Sequence, residues 1–317
     1  MLKWITKRVL IMIPLLLLIT FVIFLMISGL PGARQEFTYW GGGDVLDAFF
    51  ARVDATDNQL TQFIRYIFNT LTWDGVRKDN MGFWAISQNL FYRLNNTLFI
   101  AALGAAFSIV LGIPLGLLAA LRQNRWQDTA INGAVTLIAS IPPFCLALFL
   151  VLLLAVQLRV VPVFGVFTWQ GYVIPTIVLG AGGAAIAARM TRASVLDILS
   201  QPYIVTLQAK GLTNNRIVWL HVMKNALVPI ISVVNNIVIY VLCSTLIVEN
   251  FFTIPGIGEY LLSAVSSRKQ SRVVGCAIVL ALLIMVINLV TDILYALADP
   301  HMRQKKAASK RKGGRAS

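Results

Sequence analysis

Apolar residues in this chain gather into six long runs, at residues 9–29, 97–121, 130–156, 172–188, 227–248 and 273–297, separated by polar stretches of very different length. A hydrocarbon core takes roughly 20 residues of helix. Within lipid every backbone polar group must be satisfied internally, so runs of this length are expected to be helical. The pattern predicts an all-α integral membrane protein with six transmembrane helices. It divides into residues 1–29, an N-terminal region with the first helix; 30–96, an extracytoplasmic loop region; 97–298, a core of five helices with a patterned polar loop at 189–226; and 299–317, a basic tail. Leu30-Pro31-Gly32 offers no small-residue cleavage site after the first run, which is therefore expected to stay as an anchor. In the long loop, Trp40, Trp73 and the mixed helical spacing of residues 81–93 predict a few short helices rather than a separate domain.

Inside the runs, Pro14, Pro114, Pro142, Pro143 and Pro175 each remove a backbone donor and predict kinks. The fourth run is rich in small residues, Gly180, Gly182, Gly183, Ala184, Ala185, Ala187 and Ala188. Such a face allows close backbone approach and predicts packing against another helix or subunit.

Composition agrees with a lipid-embedded chain: 58% of the 317 residues are hydrophobic and only 13% charged. The net charge of +14 is arranged, because 17 of the 27 Lys and Arg residues fall in the termini and in alternate loops. These are Lys3, Lys7 and Arg8; Arg122 and Arg125; Arg189, Arg192, Lys210, Arg216 and Lys224; and the basic residues after Pro300. By the positive-inside rule both termini are cytoplasmic. The tail has no aromatic residues for base stacking, which argues against nucleic acid and for a segment held near anionic lipid.

The chemistry that is missing narrows the class. No Asp, Glu, Lys or Arg lies at the middle of any run, where an ion-driven carrier would need one. Glu249 and Asp292 lie near run ends, where solvation and a transport role are both open, solvation being the plainer expectation. Cys145, Cys243 and Cys276 are spaced for no metal site, and His221 and His301 have no neighbouring ligand set. The sequence contains no Gly-Lys pair, hence no phosphate-cradling loop, and any ATP hydrolysis has to occur in another chain.

The loop at 189–226 carries the most pattern. Ser200 can cap a helix with Pro202 in its first turn, and Tyr203, Val205, Thr206, Ala209 and Lys210 form a short amphipathic helix stopping at Gly211. Thr213 caps a second helix that runs through Trp219, His221 and Lys224 into the fifth run. A knob of this kind could transmit motion from a soluble partner or lie on lipid headgroups. The residues alone leave both open.

Here the sequence resembles the permease subunits of the ABC peptide/nickel importer family, in particular the dipeptide/oligopeptide "B" type. Gln201-Pro202-Tyr203-Ile204-Val205-Thr206-Leu207-Gln208-Ala209-Lys210-Gly211-Leu212, followed by His221-Val222-Met223-Lys224-Asn225-Ala226-Leu227-Val228-Pro229, is similar to that family's variant of the "EAA" loop. Further landmarks are Gly112-Ile113-Pro114-Leu115-Gly116, Ile141-Pro142, Val161-Pro162-Val163, Pro255-Gly256-Ile257-Gly258 and Asp299-Pro300, so the resemblance covers nearly the whole chain. Leu207 departs from it, standing where a small Ala is usual, as do Cys145 in place of a common aromatic and His301 in place of Arg.

The resemblance implies a type I ABC importer permease fold in the inner membrane and a transport subunit rather than an enzyme. It implies that Tyr203, Thr206, Ala209, Lys210, Gly211 and Leu212 belong to a coupling helix docking on an ATPase, supported by His221, Asn225, Ala226 and Pro229. The implied partners are a second homologous permease, two ATPase subunits that hold ATP and Mg, and an extracytoplasmic solute-binding protein. The implied cargo is di- or oligopeptides, with chelated nickel, opines and glutathione as the cargo of relatives.

Overall fold

The computed structural model describes residues 2–28, 83–163, 168–267 and 270–298, and every regular element among them is helical. Leu30-Pro31-Gly32, Trp40, Trp73, Gly165, Lys269, the Asp299-Pro300-His301 ending and the basic tail lie outside the described residues. The helices are α1 (Leu2–Ser28), α2 (Phe83–Leu121), α3 (Trp126–Ser140), α4 (Pro143–Leu150), α5 (Val173–Leu199), α6 (Pro202–Ala209), α7 (Met223–Phe251), α8 (Ile257–Ser266) and α9 (Gln270–Ala298).

Among the described residues, four helical stretches are long and apolar enough to cross a membrane: Leu90–Leu121, Trp169–Leu199, Asn214–Phe251 and Gly275–Ala298. The bent pair Trp126–Ser140 and Pro143–Gln157 makes a fifth if taken as one span. The apolar stretch of α1, Leu10–Ile23, is shorter than these.

The third run was expected to be one kinked helix. It is instead two helices meeting at 98°. Ile141 (φ −86°, ψ 121°) and Pro142 (φ −58°, ψ 140°) are both extended, because each precedes a proline whose ring disfavours the helical region for the residue before it. Pro143 then begins α4, where a missing N–H is harmless. Pro14 and Pro114 lie inside unbroken helices, and Pro175 falls in the first turn of α5, so proline alone does not break these. Residues 83–93, expected among short helices, are the opening turns of α2.

The chain forms two compact units, one of Leu98–Phe252 with Val286–Ser317, the other of Met1–Thr97 with Thr253–Met285. In the first, α5 is the central helix. Its small-residue face is spent inside the chain rather than on another subunit. A Cβ on Gly112 would fall 2.4 Å from Ala187 Cβ and 2.6 Å from the Ala184 carbonyl, and one on Gly116 would fall 2.4 Å from the Ala188 carbonyl. Only glycine allows α2 and α5 this close, since the obstacle is backbone and cannot turn away. The Ser108 hydroxyl bridges the two helices, 2.8 Å from the Gly104 carbonyl and 3.0 Å from that of Gly180. On the α7 side, Gly182 leaves the space that the Tyr240 hydroxyl fills. Glu249, expected to reach water at a helix end, is 0% exposed.

In the other unit, the polar edge of α2 grips the Pro255-Gly256-Ile257 turn. Asn96 Nδ2 donates to the Pro255 carbonyl at 2.9 Å, and Ile257 N–H donates to Thr97 Oγ1 at 2.9 Å. Arg93 pairs with Glu259, donates to the Gly256 carbonyl at 3.3 Å, and lies 4.5 Å from the centre of the Tyr260 ring. Ile257, Tyr260 and the buried Cys276 form a core beneath, with Leu90 and Leu94 against it.

Candidate functional site

Helix α5 continues to Leu199, so the first eleven residues of the expected loop are helix, and Arg189, Arg192 and Asp197 ride on it. The chain then turns at Ser200 and Gln201 into α6. Ser200 does not cap α6 as expected; its Oγ donates back to the Asp197 carbonyl at 2.9 Å, closing the end of α5. Gln201 takes the N-cap position and Pro202 the first turn.

Helix α6 ends as the sequence predicts. Gly211 has φ +80°, its N–H donates to the Gln208 carbonyl at 2.9 Å, and Leu212 N–H donates to the Leu207 carbonyl at 3.3 Å. These are the two bonds of a Schellman motif, which needs a left-handed residue and is completed by an apolar contact between the helix and the residue after the glycine. Leu207 and Leu212 occupy those two places and are both packed on the same core. Leu207, the departure from the family pattern, is thus turned into the body of the chain.

That core holds α6 firmly. Ala120, Val195, Ile198, Ile204, Ile217, Val222 and Ala226 are buried together, with Tyr203, Leu207, Leu212 and Ile230 against them. Ile204 is 3% exposed, and burying a side chain of its size contributes about 1.5–3 kcal/mol. Asn225 Nδ2 donates to the Tyr203 hydroxyl at 2.8 Å, tying α6 to the start of α7. Facing outward are Val205, Thr206, Gln208, Ala209, Lys210 and Gly211.

The expected residues therefore separate by position. Thr206, Ala209, Lys210 and Gly211 are exposed; Tyr203, Leu212, His221 and Pro229 are half-buried; Ala226 is buried and Asn225 exposed at its bond to Tyr203. Thr213 stands at the N-cap of a short turn, Asn214–Arg216, without a side-chain capping bond. The helix then widens into π-helical turns over Ile217–Val222, which carry His221, before α7. Pro229 sits within α7.

Sequence reading missed a polar cluster one helix away. Arg192 on α5 forks onto Asp128 at the start of α3, Nε to Oδ1 at 2.7 Å and Nη2 to Oδ2 at 2.8 Å. Asn132 Nδ2 donates to Oδ1 at 2.6 Å, and the backbone N–H of Asn124, in a left-handed turn at φ +62°, donates to Oδ2 at 3.2 Å. The Asp128 residue is 4% exposed, and only full pairing makes such a buried carboxylate tolerable. Asp128 and Arg192 are 64 positions apart, so no local pattern announces them. The four-residue spacing of Asp128 and Asn132 was the one local signal.

A bundle of apolar helices with a rigid, partly polar knob on its loop defines a multi-pass membrane transport subunit, with no metal-binding cluster among the described residues. The comparisons with known proteins agree. Residues 112–304 match the family described as "Binding-protein-dependent transport system inner membrane component". The chain is 30% identical over 308 residues to the glutathione transport system permease protein GsiC of Escherichia coli (strain K12), covering 96% of this chain and 100% of that one. It is 32% identical to the GsiC of Salmonella paratyphi A (strain ATCC 9150 / SARB42), with the same coverage. In fold it is similar to a chain of the MetNI methionine ABC transporter in an inward-facing conformation, with TM-score 0.59 and 19% identity, covering 67% of this chain and 97% of that one. The chain belongs to the binding-protein-dependent transport system inner membrane component family, as an ABC importer permease of the peptide/nickel type in the inner membrane.

Proposed function

We propose that this permease forms half of the translocation pathway of an ATP-driven importer for peptides or related small solutes, and that α6 is its docking element for an ATPase. The observation that carries the reading is the division of α6 into two faces. Ile204, Leu207 and Leu212 anchor it to the ends of α2, α5 and α7, while Thr206, Ala209, Lys210 and Gly211 stand outside. A helix lying on headgroups would turn apolar residues outward along its length; this one turns Tyr203, Ile204 and Leu207 in and leaves Val205 as its one large aliphatic side chain outside. Pushing on such a knob moves the ends of the helices that hold it.

Membership of the family supports a wider assembly of the following kind. The chain has six transmembrane helices with α1 among them, both termini in the cytoplasm, and pairs with a second homologous permease. Two ATPase subunits hold ATP and Mg, and an extracytoplasmic binding protein delivers the solute. ATP-driven closure of the ATPases draws the coupling helices together and turns the pathway outward; hydrolysis resets it. Glutathione is a tripeptide, so the cargo for which the relatives are named falls within the peptide class.

Lys210→Glu combined with Gly211→Ala reverses the charge on the outward face and strains the turn that ends α6. Solute-stimulated ATPase activity of the assembled transporter is expected to be lost with membrane insertion intact; retained stimulation would overturn the docking role. Vesicle uptake of a peptide mixture, glutathione and chelated nickel assigns the cargo. Uptake that persists without the ATPases would make the chain a secondary carrier.

A further inference from the structure

The turn between α2 and α3 gathers cations at a span end. Residues 122–125 join the span Leu90–Leu121 to the bent pair that begins at Trp126, so they stand where the chain leaves the hydrocarbon. Arg122, Arg125 and Trp126 are exposed, Trp126 at 76%. With its amide oxygen turned toward them, Gln127 accepts from Arg122 Nη1 at 3.1 Å and from the Trp126 indole N–H at 3.2 Å, which holds both side chains against the start of α3. A tryptophan beside arginines at a helix end suits headgroups, because the ring packs at the acyl boundary while a guanidinium forks onto phosphate.

A groove of about 620 Å³ adjoins this turn. Asn124, Thr129, Asn132 and Thr136 line it with amides and hydroxyls, and Leu137 adds an apolar side chain. From residue 128 to residue 136 it runs about 12 Å along α3. Arg189 of α5, also exposed, donates from Nη2 to Thr136 Oγ1 at 3.3 Å, so guanidinium groups stand at both ends. The one carboxylate among the lining residues is Asp128, and its oxygens are already taken by Arg192, Asn132 and the Asn124 backbone. Asp197 is the only other acid in the sequence between residues 98 and 200, and it lies about two helical turns past Arg189. A polar groove with cations at its ends and its own acid neutralised is complementary to an anion that carries further hydrogen-bonding groups. The exposed Trp126 and Leu137 beside it suit an anion with acyl chains rather than a free phosphate.

We infer that this groove seats the headgroup of an anionic glycerophospholipid, with Arg122 and Arg125 holding the phosphodiester and Thr129 and Asn132 the glycerol hydroxyls. The inference stands apart from the cargo and from the docking role of α6.

The test uses the assembled transporter purified in a neutral detergent, with phosphatidylglycerol titrated in and bound lipid counted by native mass spectrometry. Arg122→Gln with Arg125→Gln is expected to weaken the tightest-bound phosphatidylglycerol about tenfold or more. Arg216→Gln with Lys224→Gln removes the same charge elsewhere and is expected to leave that lipid in place. Should the first pair fail to assemble, Arg189→Gln reads the far end of the groove alone, with an expected loss of about fivefold. No loss in the groove variants, an equal loss in the Arg216 and Lys224 control, or displacement of the lipid by inorganic phosphate or a tripeptide mixture would overturn the inference. Binding to the permease alone that vanishes in the assembled transporter would overturn it too, and give the groove to the second permease.

Discussion

Two arginine–carboxylate pairs, one in each unit, are wired in opposite ways. Around Asp128 the acid is the hub: both its oxygens receive Arg192, and Asn132 and the Asn124 backbone add donors. Around Arg93 the base is the hub: Glu259, the Gly256 carbonyl and the Tyr260 ring converge on one guanidinium. The Asp128 side chain is 6% exposed against 28% for Glu259. The lesson is that the strength of an ion pair follows from which partner is buried and how many groups depend on it, and not from the pairing itself. The first cluster locks the start of α3 to the C-terminal part of α5, the helix that leads into α6. The second fastens the Pro255-Gly256-Ile257 turn, whose own backbone adds the Gly256 N–H to the Ile254 carbonyl at 2.7 Å.

The comparison can be broken by removing hubs and satellites separately. Asp128→Ala leaves Arg192 and the Asn124 N–H without their acceptor, while Asn132 keeps the backbone carbonyl of residue 128, and is expected to cost about 3 kcal/mol, read as a lower unfolding temperature of the purified permease. Arg93→Ala is expected to cost about 1–2 kcal/mol by the same measurement, and Arg93→Lys to recover only part, since an ammonium cannot serve a carboxylate, a carbonyl and a ring together. Glu259→Gln should be the mildest, about 0.5 kcal/mol, because Arg93 keeps its carbonyl and its ring. If Glu259→Gln proves as damaging as Asp128→Ala, the hub argument is wrong.

Much of this architecture is legible in the sequence because bilayer physics speaks through long apolar runs. The runs at 97–121 and 227–248 fall within α2 and α7, and the stop at Gly211 is present because only a glycine takes that left-handed turn without strain. Two things escape. Helix ends beyond the hydrocarbon read as loop, since Arg189 and Arg192 are polar although α5 carries them without a break. Pairings across the fold leave no local trace, so nothing in the sequence marks Asp128 as the partner of Arg192. The candidate site divides the same way: sequence found the members of α6, while their separation into anchoring and outward faces needed the core formed with Ala120 and Val195, distant in the chain.

The π-helical turns at Ile217–Val222 stand between the knob and α7. Such a turn holds one residue more than an α-helical path of the same reach, and one residue is about 100° of rotation. The two ends of this continuous helix are therefore out of phase by design of length. The turn works as an angular offset: within it Ile217 and Val222 face the core beneath α6, and sliding the extra residue along the helix would turn one end against the other without breaking it.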